Sequence, residues 1–219
     1  MRIAGSLWSV PVADHVQALS AAIDDGLSVV HWDSSDGIFA AAGGFTPEAA
    51  ASLLRQVPSV ESEAHLMMHD PLPVIPAWAQ FCRSITIPVE IEAAFRAVDL
   101  IATLGVQPCL AISPQTDLTR LPDNIPVLLM SVQPGQAGSA FRPSTIDRVF
   151  QLHELDPTRL LGVDGGISPA HCVDLARVGA GWIVSGTSLF TAPSLREWLS
   201  QCRQAGQVAN APQANSEAD

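Results

Sequence analysis

The sequence predicts an α/β protein closed into a (β/α)8 TIM barrel, and three observations carry that prediction. Eight short apolar runs alternate with amphipathic stretches along the chain. The 219 residues are 47% hydrophobic, enough for one sizeable core at the lower end of barrel length. Only 15% are charged, which leaves many positions for strands covered on both faces. An open doubly wound sheet is also compatible with the pattern, but closure is the simplest arrangement of eight such units.

The first strand is expected at Arg2–Trp8, followed by a helix over Val12–Asp25 that stops at Gly26. Further strands are expected at Ser28–Asp33, Val60–Met67, Arg83–Val89, Gln107–Ile112, Pro126–Val132, Arg159–Asp164 and Trp182–Ser185. Helices are expected between them at Pro47–Gln56, Val74–Gln80, Glu92–Leu104, Leu118–Leu121, Pro143–Leu155, Pro169–Val178 and Ser194–Arg203. Thr46 before Pro47 and Ser168 before Pro169 each place a cap donor ahead of a proline suited to the first helical turn. One domain over residues 1–203 follows. From Gln204 to Asp219 the chain is rich in Ala, Gln and Asn without apolar periodicity, which predicts a disordered tail.

Composition removes several function classes. A formal net charge of -11, with no run of Arg to override it, disfavours nucleic acid and anionic membrane surfaces as partners. All 11 basic residues are Arg, and the absence of Lys excludes Schiff-base chemistry and a lysine general base. Cys82, Cys109, Cys172 and Cys202 are scattered with no Cys-x-x-Cys pair, so they read as buried free thiols. Nowhere do 18 apolar residues run together, and a soluble cytoplasmic protein is expected.

The chemistry-bearing residues sit at strand ends, where barrel enzymes place their catalytic groups. In His31-Trp32-Asp33 the period-two alternation of a strand sends His31 and Asp33 to one face and Trp32 to the other. His65 ends the third strand and Asp164 the seventh. A single His or Asp near a strand end is usually a hydrogen-bonded structural group; four converging at one end of a barrel are not. Two His and two carboxylates suit a divalent first-row ion, with Zn, Mn, Fe and Co all admissible. Gly165-Gly166 and Ser185-Gly186-Thr187-Ser188 follow strands seven and eight, where barrels commonly hold phosphate. Without lysine the phosphate donors are expected to be backbone N–H groups at tight turns and helix N-termini, with one Arg as a further candidate. Gly186 is expected to leave the space that a phosphate needs.

Taken in order, Ile3-Ala4-Gly5-Ser6-Leu7, His31-x-Asp33, Asp36-Gly37, His65-Leu66-Met67, Met130-Ser131-Val132-x-Pro134-Gly135, Val163-Asp164-Gly165-Gly166-Ile167 and Ser185-Gly186 resemble the blocks of the ribulose-phosphate 3-epimerase family. The resemblance runs from residue 3 to residue 190. It implies a ribulose-phosphate-binding type of TIM barrel, one divalent metal ion, and 3-epimerisation of a sugar phosphate. It further implies that His31, Asp33, His65 and Asp164 are metal ligands, and that Asp33 and Asp164 are the two acid/base carboxylates. Inverting C3 requires such a pair, because a proton leaves one face and another arrives on the opposite face.

Substrate contacts implied by the same resemblance are Ser6, His65, Met67, Met130, Gly135, Gln136, Ala137, Gly138, Gly165, Gly166, Gly186 and Thr187. Met67 and Met130 fit ordinary core packing equally well. The chain also departs from the family pattern. Gln136 stands where an aromatic is expected and Ala137 where a glycine is. Ser35 replaces a methionine, Ile38 and Pro88 each replace a histidine, and Ala40–Phe45 is altered. These changes bear on substrate identity more than on reaction type. The expected reaction is D-ribulose 5-phosphate to D-xylulose 5-phosphate, with a related ketose phosphate such as allulose 6-phosphate, or a metal-binding paralogue without activity, as alternatives. A carbon–carbon lyase or decarboxylase on this fold would need the missing lysine; a metal-dependent aldolase would not, but fits less well. Homo-oligomerisation is compatible with the sequence.

Overall fold

The computed structural model describes residues 1–136 and 138–209. Its strands are β1 (Arg2–Ser6), β2 (Val29–Ser35), β3 (Gly43–Gly44), β4 (Glu61–Met67), β5 (Ser84–Pro88), β6 (Gln107–Ile112), β7 (Val127–Met130), β8 (Leu161–Asp164) and β9 (Ala180–Ser185). β1 pairs in parallel with both β2 and β9, so the eight long strands close into a ring. The open-sheet alternative is thereby removed. The helices are α1 (His15–Asp24), α2 (Pro47–Leu54), α3 (Ile75–Trp78), α4 (Ala94–Thr103), α5 (Ser144–Leu155), α6 (Pro169–Arg177), α7 (Thr187–Phe190) and α8 (Leu195–Ala209). None of the described helices is long and apolar enough to cross a membrane.

Two apolar layers hold the ring. Outward-facing side chains such as Trp32, Leu66 and Ile85 pack under the helices with Leu19, Trp78 and Ile101, all of them fully buried. Inside the barrel, Ala4, Val29, Cys109, Ala111, Leu128, Met130, Trp182 and Val184 form a separate cluster. Gly162 makes room for it: a Cβ there would lie 2.1 Å from Trp182 Cε2, inside the indole's own volume. The smallest residue on β8 thus admits the largest on β9, the small-against-large complementarity that close packing requires.

Element boundaries differ from the sequence expectations in four informative places. β2 runs on through Ser35 because every residue from Val29 to Ser35 finds a partner on β4. Just beyond, the chain folds back as β3, with Ser34 opposite Gly44 and Ser35 opposite Gly43. Gly44 has φ +81, and a Cβ there would lie 2.0 Å from the Asp33 carbonyl oxygen, so only glycine permits this close return. Leu118–Leu121 is not an α-helix but a 3-10 turn over Leu118–Arg120, leaving the β6–β7 connection without the helix of a full repeat.

The last helix also does not stop at Arg203. α8 continues to Ala209, because Ala205 and Gly206 extend the buried face of Trp198, Leu199 and Cys202. These residues are too small to register as an apolar stripe, and Gly206 lets the helix approach Met1, whose nitrogen would be 2.9 Å from an added Cβ. The rest of the expected tail, residues 210–219, lies outside the described residues. α7 is a further helix that the sequence did not suggest.

Candidate metal and substrate site

Register brings the candidate ligands together. Along the β2–β4 pair Asp33 stands opposite His65 and His31 opposite Glu63, while Met130 on β7 stands opposite Asp164 on β8. All four expected ligands therefore end on the inner face at the same end of the barrel. One donor atom from each of His31, Asp33, His65 and Asp164 lies within 4.8 Å of the other three. His31 Nε2 is 3.4 Å from Asp33 Oδ1, and His65 Nδ1 is 3.7 Å from Asp33 Oδ1 and 4.0 Å from Asp164 Oδ2.

Several of these atoms lack ordinary hydrogen bonds. His31 Nε2 and both ring nitrogens of His65 are buried without a hydrogen-bond partner. Buried polar atoms are nearly always satisfied, so three orphaned nitrogens facing two carboxylates fit a cation between them. The donor set, two imidazoles and two carboxylates, is that of a divalent transition metal. This cluster can hold such an ion.

The two carboxylates are held differently. Asp33 resists the upward push of burial because His31 and His65 flank it, and its carboxyl lies well below the usual range; Ser6 Oγ also donates to its Oδ2 at 2.5 Å. Asp164 is pushed up to about 7 by burial and then by the negative charge of Asp33. His31 is raised well above its usual value: burial opposes its charge, but Asp33 and Glu63 outweigh that. His65 is lowered, by burial first, with Asp33 offsetting only part. Cys109 belongs to the apolar cluster inside the barrel, where burial pushes its thiol up to about 12.

Above the cluster opens a cavity of about 290 Å³. Ser6, Asp33, Met67, Met130, Gly135, Gln136, Gly138, Asp164, Gly165, Gly166, Gly186 and Thr187 line it, and His31 and His65 lie buried at the cluster itself, outside the cavity wall. Ala137 lies outside the described residues. Among the described residues, no Arg lines this cavity, and the chain has no Lys. Gly138 has φ +78 and a Cβ there would meet Thr187 Oγ1 at 3.9 Å, whereas Gly166 has φ +63 where a Cβ would strike Phe141 N at 2.3 Å. Gly186 lines the cavity, and a Cβ there would also meet the Ser6 carbonyl oxygen at 3.1 Å, so this glycine sits tight against the end of β1.

The altered segment after β2 forms part of this region. Asp36 Oδ1 accepts from the Ile38 and Phe39 N–H groups and Oδ2 from His69 N–H at 2.7 Å, tying the turn to β4's exit. Gly135 would meet Ala40 Cβ and Ala41 N at 3.1 Å if it carried a side chain, so the two altered loops touch. Ile38 itself is exposed. Lining residues that sequence reasoning missed include Trp8, Ser9, Val132 and Ser139. Trp8 was findable, being two residues beyond Ser6 and packed on Gly43. Glu63 was findable too, since it shares a strand face with His65; it lies 2.9 Å from His31 Nδ1.

A family model described as the ribulose-phosphate 3 epimerase family matches residues 2–190. The chain belongs to the ribulose-phosphate 3-epimerase family. Relatives in that family include the ribulose-phosphate 3-epimerase of Aquifex aeolicus, 30% identical over 88% of this chain and 89% of that one. The protein of the same name from Chlamydia pneumoniae is 33% identical over 78% of this chain and 79% of its own length. Among solved structures, 3-hexulose-6-phosphate synthase from Salmonella typhimurium superposes with a TM-score of 0.74 at 15% identity, covering 95% of this chain and 100% of that one. The 3-keto-L-gulonate-6-phosphate decarboxylase of Vibrio cholerae gives 0.73 at 16%, covering 94% and 97%. At those identities the structures share the barrel with this family member, and nothing finer.

Proposed function

We propose that this chain is a metal-dependent 3-epimerase of a ketose phosphate, converting D-ribulose 5-phosphate to D-xylulose 5-phosphate. The observation that carries this reading is the pair Asp33 on β2 and Asp164 on β8, two carboxylates that line one cavity and belong to one cluster of donor atoms. Carboxylates reaching one cavity from two different strands can serve as an acid/base pair. One carboxylate takes the C3 proton from its face of the substrate while the other, carrying a proton, returns one from the opposite side. Their roles exchange with the direction of reaction, and both exchange protons with solvent between turnovers. Ser6 holds Asp33 in place through the 2.5 Å hydrogen bond.

His31, Asp33, His65 and Asp164 would hold a divalent ion, which would supply positive charge to stabilise the negative charge that develops as C3 loses its proton. Zn, Mn, Fe and Co all suit this ligand set. Met67 and Met130 offer an apolar wall that keeps water from the reacting carbon. The phosphate falls to main-chain N–H groups around Gly138, Gly166, Gly186 and Thr187, since no basic side chain among the described residues lines the cavity. The names of the Aquifex and Chlamydia relatives support a ribulose phosphate as substrate. Contact between the altered loops at Ala40–Ala41 and Gly135 favours, as a second reading, a related ketose phosphate such as allulose 6-phosphate.

The decisive assay incubates metal-loaded protein with each ketose phosphate in D₂O and follows C3 by NMR. Epimerisation with deuterium entering at C3 is the expected result. Comparable kcat/KM for ribulose and ribulose 5-phosphate would instead point to a free-sugar epimerase, because a bound phosphate contributes binding energy that positions C3.

A further inference from the structure

Inside the barrel, below the ligand cluster, three strands carry a polar column that the epimerase reading leaves unassigned. Glu63 on β4 is 4% exposed and uses both oxygens. Oε1 lies 2.9 Å from His31 Nδ1 on β2, and Oε2 accepts from Arg2 Nη2 on β1 at 2.7 Å. The other His31 nitrogen, Nε2, is buried without a hydrogen-bond partner and sits 3.4 Å from Asp33 Oδ1.

We propose that Glu63, held by Arg2, is a positioning residue for the metal centre: it accepts from Nδ1–H of His31 and so fixes the ring with the Nε2 lone pair facing Asp33, His65 and Asp164. This rests on the metal reading above. A neutral imidazole offers a lone pair on one nitrogen only, and the partner of the other nitrogen decides which. A carboxylate on Nδ1 leaves Nε2 as the ligand atom.

The surroundings explain why Glu63 cannot swing away. A buried carboxylate without a counter-charge is costly, and Arg2 supplies that charge from the lower mouth of the barrel. The Arg2 guanidinium in turn lies 5.5 Å from the Trp182 ring centroid, over the indole that occupies the space left by Gly162. Register adds to the constraint: β4 presents Glu63 opposite His31 and His65 opposite Asp33, so one strand carries a ligand and the holder of another ligand.

The test uses full-length protein, zinc as the probe, and no activity measurement. Zinc affinity is measured by competition with a chromophoric chelator, and the His31 ring by long-range ¹H–¹⁵N NMR on zinc-loaded protein. Glu63→Ala should weaken zinc binding by about 10–100-fold, the usual cost of losing a residue that orients a metal ligand. Glu63→Gln keeps an oxygen that can accept from Nδ1–H and should lose less. Arg2→Met should weaken binding in the same direction, and combining it with Glu63→Gln should cost less than the sum, because the buried charge has gone with its partner. The spectrum should show His31 protonated at Nδ1 with zinc on Nε2.

A folded Glu63→Ala variant with wild-type zinc affinity overturns the proposal, as does a spectrum placing the proton on Nε2. Should Glu63→Ala fail to fold, the comparison of Glu63→Gln with Arg2→Met and the wild-type spectrum decide. Wild-type protein that binds zinc in this way but does not epimerise would refute the function and leave Glu63 in its role; wild-type protein that binds no metal would remove both.

Discussion

At the scale of single residues, the two carboxylates are the sharpest point of test. Asp33→Asn and Asp164→Asn should each cut turnover by more than a hundredfold, since each removes a proton carrier worth about 10²–10⁴-fold. Steady-state kinetics with saturating metal would show it, and retention of a tenth of wild-type kcat by either variant would discard the pair. His31→Ala and His65→Ala should lose bound metal in elemental analysis, whereas His69→Ala and His153→Ala should not. The apo protein carries a pH signature as well. Asp164, raised to about 7, keeps a proton in the folded chain that the unfolded chain releases near its ordinary value, so stability falls as pH climbs toward 7. His31, also raised, adds stability below its ordinary value that is lost as pH rises through its folded one. The metal-free Tm should therefore decline from pH 6.5 to 8, and saturating metal should flatten the decline, because a bound cation competes with these protons for the same donor atoms. A metal-free Tm that rises across that window would contradict the assignment. These ligands were legible in the sequence because a His or Asp at a strand end can only face the mouth or the helices, and period two decides which. Glu63 obeyed the same rule and was missed, since a lone glutamate on a strand suggests a solvent-facing position until a partner for it is known.

At the scale of elements, the eight strands were legible from their apolar runs, while the connections were legible only where they had a strong signal. Thr46 before Pro47 marked the start of α2, and the Thr46 side chain does accept from Ala49 N–H. The β3 return had no such signal, because what makes it possible is a missing Cβ at Gly44 against the Asp33 carbonyl. Gly44→Ala should force that contact open, loosen β2 beside Asp33, and lower both Tm and metal affinity; a variant unchanged in both would show that β3 does not support the site. The end of α8 was hidden for a related reason, as its buried face there is Ala205 and Gly206. Truncation after Arg203 should consequently lower Tm relative to truncation after Ala209, checked by thermal unfolding of both, and equal values would return residues 204–209 to the tail.

At the scale of the whole molecule, closure was predictable because eight strand–helix units leave a parallel sheet nowhere simpler to go, yet the closed ring is also what makes the site one object. The four candidate ligands come from three strands, so a metal held by them should bind the folded chain and not the unfolded one. Zinc at about a thousandfold excess over its Kd should stabilise folding by about 4 kcal/mol, and a strong chelator should remove that gain in the same thermal scan. No change in Tm on chelation would mean that the cluster is empty in the working protein. The wall opposite the ligands, built of turns without a basic side chain, carries a different kind of consequence. Every residue except proline has a backbone N–H, so a lineage can rewrite positions such as Ser139 or Thr187 and keep the donor while reshaping the surface above it. Ancestry in that wall is preserved in the path of the chain, not in its letters, and if the wall holds a phosphate as proposed, descendants can explore new sugars without first losing that hold.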